Sequence, residues 1–421
     1  MDAPGSNRPG GYQGFPSWTV TWRVTAPQFG NTDTRIRMRG VRVGYTFSAR
    51  ADCVEESGIR KMLGLARPGA INLSIGEPNI EPPANVRAAL KRAVDENRST
   101  YGPSGGIPEL REAIAAKLRQ NWKEARKENV VVTVGASQAL FAIAHIFYER
   151  GDEVLVPDPG FFLYGAHARI HGATPVAYRL PAENGHRPTE EDLKAKIRPK
   201  TRAIVINSPS NPTGMAFRKS DTKLVSDLAR DHDLLVVSDE VYDELMFDRR
   251  HETFLCEAEK LVYINSFSKT YSTTGWRMGY AAAAEEVAKM LSKTTYHMLA
   301  CPPTTTQYAA LEALKPETDG FVKKMVQEFR ERRDLMVKGL NAIDGFRCPN
   351  TDGTIYVFPS YKFKLSSADL AMKLIEFGVV TVPGFNFGEL GEGHIRICLG
   401  ARRADLEEAL KRLGKAAEAL K

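Results

Sequence analysis

The sequence has few cysteines, and they form no close pair that would suggest metal or disulfide chemistry. Five cysteines are spread over 421 residues without any C-x-x-C spacing, at Cys53, Cys256, Cys301, Cys348 and Cys398. Zinc, redox and haem sites of the C-x-x-C type are therefore excluded, and we predict no metal site. An odd and scattered set is typical of a reducing compartment, which predicts a cytoplasmic location.

Long hydrophobic runs are also lacking. The longest stretch without charge runs from Asn129 to Tyr148, but Gly135, Gln138 and His145 interrupt it. We interpret it as a strand, a turn and a buried helix rather than a membrane span. The start of the chain shows no charged segment followed by an apolar one, so we expect no secretory signal and no membrane partner.

The positive charge is concentrated at one end of the chain. The net charge is +7, but residues 1–50 contain seven arginines and two aspartates, which leaves +2 for the other 371 residues. This leader holds Gly or Pro at eleven positions and shows no periodicity before about Arg35. We interpret it as a disordered arm, or as extra sequence that results from a start codon assigned too far upstream. An organellar presequence and a nucleic-acid-binding arm are the alternatives. Because the rest is nearly neutral, we expect no nucleic-acid partner.

From Val130 onward, short β-branched segments alternate with amphipathic ones. Six strands are predicted, over 130–134, 153–157, 174–178, 202–207, 233–239 and 261–266. Nearly continuous apolar strands separated by helices are typical of a mostly parallel sheet that helices cover on both faces. The predicted fold class is therefore α/β.

The domain organisation follows from the same pattern. We predict a leader at 1–50, an N-terminal arm at 51–83, a large domain at 84–320 and a small α+β domain at 321–421, which the arm joins. The small domain contains a long helix from about Phe321 to Ile343, strands at 354–358 and 394–398, and a last helix from about Arg403.

Ligands of parallel sheets bind at the carboxyl ends of the strands, and polar residues follow several of the predicted strands. Ala136 and Ser137 open a helix after the first strand, where free amides suit a phosphate. The rigid loop 207–214 presents Asn211, and the fifth strand ends at Asp239, three residues before Tyr242. Each of these features taken alone also fits an ordinary turn or a solvated strand end.

The sixth strand leads into the most informative segment, SFSKTYSTTGWRMGY at residues 266–280. It places Lys269 among hydroxyl side chains, with Ser266 before it and Arg277 eight residues after it. A lone lysine in such a loop is usually a surface residue. Here it joins an Asn, an Asp, a Tyr, an Arg and phosphate-type amides at one sheet edge.

This set of groups matches the chemical needs of pyridoxal 5'-phosphate. Lys269 could form a Schiff base with the aldehyde, and Asp239 could keep the ring nitrogen protonated. Asn211 and Tyr242 could bond the ring hydroxyl. The remaining groups, which could hold the phosphate, are Arg277, Ser266 and the amides at 136 and 137.

The same segments resemble the class I and II aminotransferases of the aspartate aminotransferase superfamily, which have the fold type I architecture. The resemblance covers about Cys53 to Ala416 and rests on ordered matches at 71–83, 101–115, 132–140, 207–214, 239–242, 266–279 and 394–400. It implies a ping-pong transfer of an amino group from an L-amino acid to a 2-oxo acid, through the Schiff base and pyridoxamine phosphate. It also implies a homodimer with shared active sites.

The resemblance assigns further roles residue by residue. Lys269 resembles the lysine that moves the substrate proton, and Arg396 the arginine that grips the α-carboxylate. Gly76 resembles the glycine beside that carboxylate. Phe161 occupies the position of the ring that stacks on the cofactor, where Tyr or Trp is common. Tyr101 resembles the tyrosine that reaches the phosphate in the neighbouring subunit.

The substrates and the reaction type leave alternatives open. Aspartate with 2-oxoglutarate is the first expectation, with alanine, methionine and aromatic donors next. Lys293 and His297 are candidates for contact with the substrate side chain. A carbon-sulfur lyase or an aminocyclopropane carboxylate synthase would use the same lysine and ring contacts. A cofactor-sensing regulator would need a DNA-binding module, which residues 1–50 do not suggest, and no G-x-G-x-x-G follows a strand, which disfavours a nicotinamide enzyme.

Overall fold

The computed structural model of the protein describes residues 35–38, 41–44, 46–54, 62, 64–65, 68–255 and 257–420. The described residues as far as Ser48 form one unit, and the described residues from Ala49 onward form another. In the first unit, strands β1 (Arg35–Met38) and β2 (Val41–Gly44) pair in antiparallel fashion. The predicted leader falls outside the described residues as far as residue 34, and the predicted domain boundaries remain predictions.

A seven-stranded sheet organises the second unit. Its strands are β4 (Val130–Thr133), β5 (Glu153–Asp158), β6 (Thr174–Arg179), β7 (Thr201–Asn207), β8 (Leu235–Asp239), β9 (Leu261–Ser266) and β10 (Gly279–Ala283). They lie in the order β4-β10-β9-β8-β7-β5-β6. All neighbouring pairs are parallel except the two that involve β10, which runs antiparallel to both β4 and β9. The six predicted strands and the mostly parallel α/β sheet are confirmed.

The sheet is buried on both faces, as its continuous apolar strands predict. Val237 of β8 packs in one hydrophobic cluster with Val205 and Ile264, whereas its neighbour Val236 packs in another cluster with Ile204. Successive side chains of a strand point to opposite faces, so the two clusters lie on opposite sides of the sheet. Helices supply the rest of each layer.

The strand β10 was not predicted. Its sequence, GYAAA, is mostly alanine and glycine, which have low strand propensity. All five residues are buried between β4 and β9, so the surrounding sheet determines their conformation. This strand is why the sheet is mixed rather than purely parallel.

The C-terminal region contains a smaller set of strands and a second hydrophobic core. Its strands are β11 (Phe346–Arg347), β12 (Tyr356–Val357), β13 (Ser360–Tyr361), β14 (Val379–Val380), β15 (Val382–Pro383) and β16 (Ile395–Cys398). Strand β3 (Ile71–Asn72), from the N-terminal arm, pairs in parallel with β14. Only two residues of the predicted strand at 354–358 are paired in β12, which is shorter than the pattern indicated.

The helices alternate with the strands of the large sheet and flank the C-terminal strands. Within the described residues the α-helices are Ala49–Asp52, Ala84–Asp95, Pro108–Leu118, Gly135–Phe147, Leu163–Ile170, Glu190–Lys196, Lys219–Asp231, Phe267–Thr270, Glu285–Leu299, Thr304–Ala313, Asp319–Asn341, Ser367–Glu376 and Arg403–Ala419. The long helix and the last helix both lie where the sequence pattern predicts them, within about two residues. No helix in the described part of the chain is long and apolar enough to cross a bilayer.

Candidate active site

The carboxyl ends of β7, β8 and β9 meet the start of the helix Gly135–Phe147 around one cavity of about 230 Å3. Most of the residues singled out in the sequence line this cavity: Gly76, Ala136, Ser137, Phe161, Asn211, Asp239, Tyr242, Ser266, Lys269, Arg277 and Arg396. They come from both ends of the chain and from the sheet between them. A larger cleft of about 470 Å3 is lined by the first residues of β8 and β9, Leu235 and Leu261, and contains none of these side chains.

Lys269 lies on the short helix Phe267–Thr270 that follows β9. The hydroxyl of Ser266 caps this helix by accepting from the backbone N–H of Ser268 at 3.1 Å. The Lys269 amine donates to the carbonyl oxygen of Gly76 and forms no ion pair within the described residues. Burial lowers the pKa of this amine to about 8, and the nearby Arg396 guanidinium also lowers it. At pH 7 about a tenth of the amine is therefore unprotonated, far more than at the ordinary lysine pKa of 10.5.

Asp239 presents a buried carboxylate at the end of β8. It accepts a hydrogen bond from the Tyr164 hydroxyl at 2.8 Å and a longer one, 3.4 Å, from the backbone N–H of Val241. Burial raises the pKa of Asp239 to about 6, although the hydrogen bond from Tyr164 opposes the rise. A carboxylate in this environment is suited to a cationic partner that would keep it ionised.

Arg396 has one of the largest fully buried side chains, with 1% of its surface exposed. Its Nη1 donates to Oδ1 of Asn211 at 2.9 Å, and its Nη2 donates to the carbonyl oxygen of Ser74. The guanidinium carbon lies 4.4 Å from the ring centroid of Tyr356 and 5.1 Å from that of Phe387. Its Nε is buried without a hydrogen-bond partner. The guanidinium thus keeps unused donor capacity for an anion.

Tyr242 extends the polar surface of the cavity. Its hydroxyl donates to the hydroxyl of Tyr356 at 3.2 Å. Burial and the neighbouring Tyr356 raise the pKa of Tyr242 well above its ordinary value, so the phenol stays neutral and keeps its proton for hydrogen bonding.

The end of the cavity formed by the first turn of the helix Gly135–Phe147 and by Arg277 is suited to an anion. Ala136 and Ser137 lie in the first turn of the helix Gly135–Phe147, where backbone N–H groups lack intrahelical partners and the helix dipole is positive. Arg277, at φ +58°, places its guanidinium beside this turn, since a Cβ on Gly135 would lie 2.5 Å from Arg277 Nη2. Its Nη1 donates to the carbonyl oxygen of Thr274 at 2.8 Å.

Gly76 and Phe161 contribute through shape. A Cβ on Gly76 would lie 1.9 Å from the Tyr356 hydroxyl, so only glycine allows this close approach of backbone and ring. Phe161 packs edge-on against Tyr164 with the ring centroids 5.9 Å apart, which presents an aromatic side chain to the cavity.

Three residues singled out in the sequence do not line the cavity of a single chain. Tyr101 is 88% exposed. Lys293 and His297 lie on the helix Glu285–Leu299 and line a separate groove with Phe141 and Met298. The expectation that Lys293 or His297 meets the substrate side chain remains a prediction.

Sequence reasoning missed several residues, among them Tyr164, Asn207 and Tyr356 in the cavity lining. It also missed Phe387, whose ring packs against the Arg396 guanidinium. Asn207 accepts from the backbone N–H of Asn211 at 2.8 Å and donates to the carbonyl oxygen of Asp239 at 3.1 Å, and so joins two strand ends. The one local signal for Tyr164 is its position three residues after Phe161, which places both on one face of a helical turn.

Asp239 is expected to destabilise the ligand-free protein at neutral pH. Its pKa rises from an ordinary 3.8 to about 6 on folding, so the folded state binds more protons between these values and the free energy of unfolding falls as pH rises through them. Asp239→Asn removes this penalty, and we expect the variant to be more stable than wild type by about 2 kcal/mol at pH 8. Urea denaturation at pH 5 and pH 8 measures the difference. The expectation would be contradicted if the difference in free energy of unfolding between the variant and wild type were no larger at pH 8 than at pH 5.

The fold and the site define an α/β enzyme built around a partly buried lysine, a buried carboxylate and a buried arginine. Residues 68–413 match the family model described as aminotransferase class I and II. The chain is 39% identical over 370 residues to a probable aspartate aminotransferase of Methanocaldococcus jannaschii, covering 86% of this chain and 97% of that protein. It is 37% identical to aromatic-amino-acid aminotransferase 2 of Thermococcus litoralis, covering 87% and 97%.

A solved structure shows the same similarity. Aspartate aminotransferase from Thermus thermophilus with maleate matches with a TM-score of 0.85 and 34% identity, over 88% of this chain and all of that one. The chain therefore belongs to the class I and II aminotransferase family, and the resemblance seen in the sequence is confirmed. It is an aminotransferase, and enzymes of this family use pyridoxal phosphate as their cofactor.

Proposed function

We propose that this aminotransferase transfers the amino group of an L-amino acid, with aspartate as the first choice, to a 2-oxo acid, with 2-oxoglutarate as the first choice. The observation that carries the proposal is the Lys269 amine, which lies in one cavity with Asp239, Asn211 and Arg396 and whose pKa burial lowers to about 8. Such an amine can act both as a nucleophile and as a base near neutral pH.

The residues of the cavity fit pyridoxal phosphate at each of its polar groups. We assign Lys269 to the aldehyde and Asp239 to the ring nitrogen, because the buried carboxylate, which forms no ion pair with any described residue, would gain a cationic partner there. Asn211 and Tyr242 are assigned to the ring hydroxyl. The ring face is assigned to Phe161 and the phosphate to Ser266, Arg277 and the amides at 136 and 137. When bound, the cofactor supplies a ring that withdraws electrons from the substrate α-carbon.

Two side chains act on the substrate in this proposal. Arg396 binds the α-carboxylate, for which its planar donors are suited, and its unpartnered Nε indicates spare capacity. The carbonyl oxygen of Gly76 lies within hydrogen-bond reach of the Lys269 amine, so this backbone segment lies beside both the base and the carboxylate site. Lys269 then acts as the base that takes the proton from the α-carbon of the substrate and later gives this proton back.

A homodimer with shared active sites forms part of the proposal. Tyr101 is 88% exposed in one chain, although the family resemblance gives it a role at a phosphate site. The exposure of the Tyr101 side chain is explained if this side chain reaches the cavity of a partner subunit. Sedimentation of the purified protein as a monomer would contradict this part of the proposal.

A panel of amino donors at a fixed concentration of 2-oxoglutarate tests the proposed reaction. We expect glutamate to form with every active donor and kcat/KM to be highest for aspartate, because several relatives carry that name. A higher value for an aromatic donor or alanine would show the substrate choice to be wrong and leave the transamination intact. The control omits the acceptor, since pyruvate and ammonia released without it would instead indicate a lyase.

A further inference from the structure

Asp158, the last residue of β5, has no role in the reaction described above, yet its carboxylate is buried and fully bonded. It is 6% exposed. One oxygen accepts from the backbone N–H of Glu389 and the other from that of Leu390, both at 3.0 Å. These two amides open the short 3-10 helix Glu389–Gly391, which belongs to the C-terminal region. A carboxylate with two backbone donors is a strong and directional contact.

A second contact joins the same two segments. The backbone N–H of Gly160 donates to the carbonyl oxygen of Phe387 at 2.7 Å. Between these contacts lies Gly388, at φ +120°, where a Cβ would lie 2.2 Å from Oδ1 of Asp158. Only glycine allows the chain to pass so close to the carboxylate. We refer to the contacts of Asp158 and Gly160 with residues 387–390 as the clasp.

The clasp holds the segment whose aromatic ring packs against the guanidinium of Arg396. Phe387 packs with its ring centroid 5.1 Å from the Arg396 guanidinium carbon and 6.0 Å from the ring centroid of Phe358. On the other side of the clasp, the loop that begins at Asp158 leads directly to Phe161, which lines the cavity. Asp158 thus connects the loop that carries Phe161 to the segment that packs against Arg396.

We propose that Asp158 is a positioning residue for substrate binding. It holds Phe387 against the Arg396 guanidinium, and this contact keeps the N–H donors of Arg396 directed at the substrate carboxylate. The inference rests on the proposed function, because it takes Arg396 as the carboxylate-binding group. Small displacements of positioning groups lower binding and rate strongly, since the donor geometry must match the ligand.

The test compares Asp158→Asn with wild type. Asparagine has the same shape but one acceptor oxygen, and its amide group would face a backbone N–H. We expect KM for the amino donor and the dissociation constant of 2-oxoglutarate for the pyridoxal form of the holoenzyme to rise about tenfold. The affinity for pyridoxal phosphate and the visible spectrum should stay unchanged, because the clasp touches none of the groups assigned to the cofactor except through Phe161.

Asp221→Asn is the matched control. Asp221 is also 6% exposed and accepts from a backbone N–H, that of Arg218, at 2.8 Å. It also pairs with Arg187 at 3.4 Å, and neither of these two partners lines the cavity or packs against Arg396. This control should lower the thermal midpoint without changing KM. Gly388→Ala tests the clasp from its other side, since the added Cβ must displace the segment, and it remains informative if Asp158→Asn does not fold.

The outcomes separate the two proposals. Suppose that the wild type shows normal transamination and that the variants fold. If their KM and 2-oxoglutarate dissociation constant then lie within twofold of the wild-type values, the clasp proposal alone is overturned. A matching loss of cofactor affinity would also overturn it, because it would indicate a general loss of structure. A wild-type enzyme without acceptor-dependent activity would instead refute the proposed function.

Discussion

Lys269→Ala is expected to lower kcat by about 10⁴-fold, because Lys269 is the one lysine that lines the cavity and can act as the base there. The variant should also lose the visible absorbance band of a covalently bound cofactor. Borohydride reduction followed by peptide mapping should label residue 269 in the wild type only. Retention of the absorbance band or of more than a few per cent of the activity would contradict the role of Lys269.

Lys117 offers a matched control for this experiment. It lies on the helix Pro108–Leu118 and pairs with Glu244 at 2.7 Å. Burial acts to lower its pKa, but Asp243 and the other acidic groups around it outweigh this and raise the pKa well above the ordinary value. It therefore stays charged and unreactive. Lys117→Met should lower stability without loss of the covalent label, which separates reactivity from burial.

The lowered pKa of Lys269 also predicts a pH dependence. The folded-state value of about 8 lies below the ordinary 10.5, so the amine becomes reactive as pH rises through 8. The rate at which the ligand-free enzyme takes up pyridoxal phosphate should rise with pH and level off above about pH 8. A rate that continues to rise up to pH 10 would show that the amine keeps an ordinary pKa.

Arg396→Lys is expected to lower kcat/KM about 100-fold for every amino donor, whatever its side chain. Lysine keeps the charge but loses the planar donors that bond Asn211 and the carbonyl of Ser74, and it cannot stack between Tyr356 and Phe387 in the same way. A loss confined to some donors would show that Arg396 contacts the substrate side chain instead of the shared α-carboxylate.

Arg333 supplies the control for this substitution. Its guanidinium is also buried, in the C-terminal region, where it forms an ion pair with Asp248 at 2.9 Å. It is absent from the cavity lining. Arg333→Lys should lower the free energy of unfolding and leave kcat/KM close to the wild-type value, so that a general effect of losing a buried guanidinium can be recognised.

Much of the site could be predicted because the sheet edge gathers residues by a simple rule. Asp239 and Ser266 are the last residues of their strands, and Asn211 lies in the loop after another, so a correct strand pattern is enough to bring them together. The contact between Arg396 and Asn211 joins residues 185 positions apart, and the family resemblance, not periodicity, suggested the role of Arg396.

The residues that were missed depend on packing that no local pattern encodes. Tyr164 becomes a partner of Asp239 because a helix after β5 places it against the end of β8, 75 residues away. Tyr356 and Phe387 are ordinary core aromatics by sequence, and only the packing of the C-terminal region places them beside the guanidinium of Arg396. For the same reason β10 was missed, since its alanines become a strand only between its two neighbours.

The antiparallel strand β10 also bears on how this enzyme could change during evolution. A Cβ on Gly279 would lie 2.7 Å from the backbone carbon of Gly135 and 2.8 Å from the nitrogen of Ala136, so backbone meets backbone behind the first turn of the helix Gly135–Phe147. Because no side chain separates the backbone of Gly279 from that of Gly135 and Ala136, mutation has little freedom to change the shape of this end of the cavity. New substrate preferences should therefore arise at the Arg396 end, where replaceable aromatic rings, those of Tyr356 and Phe387, pack against the guanidinium.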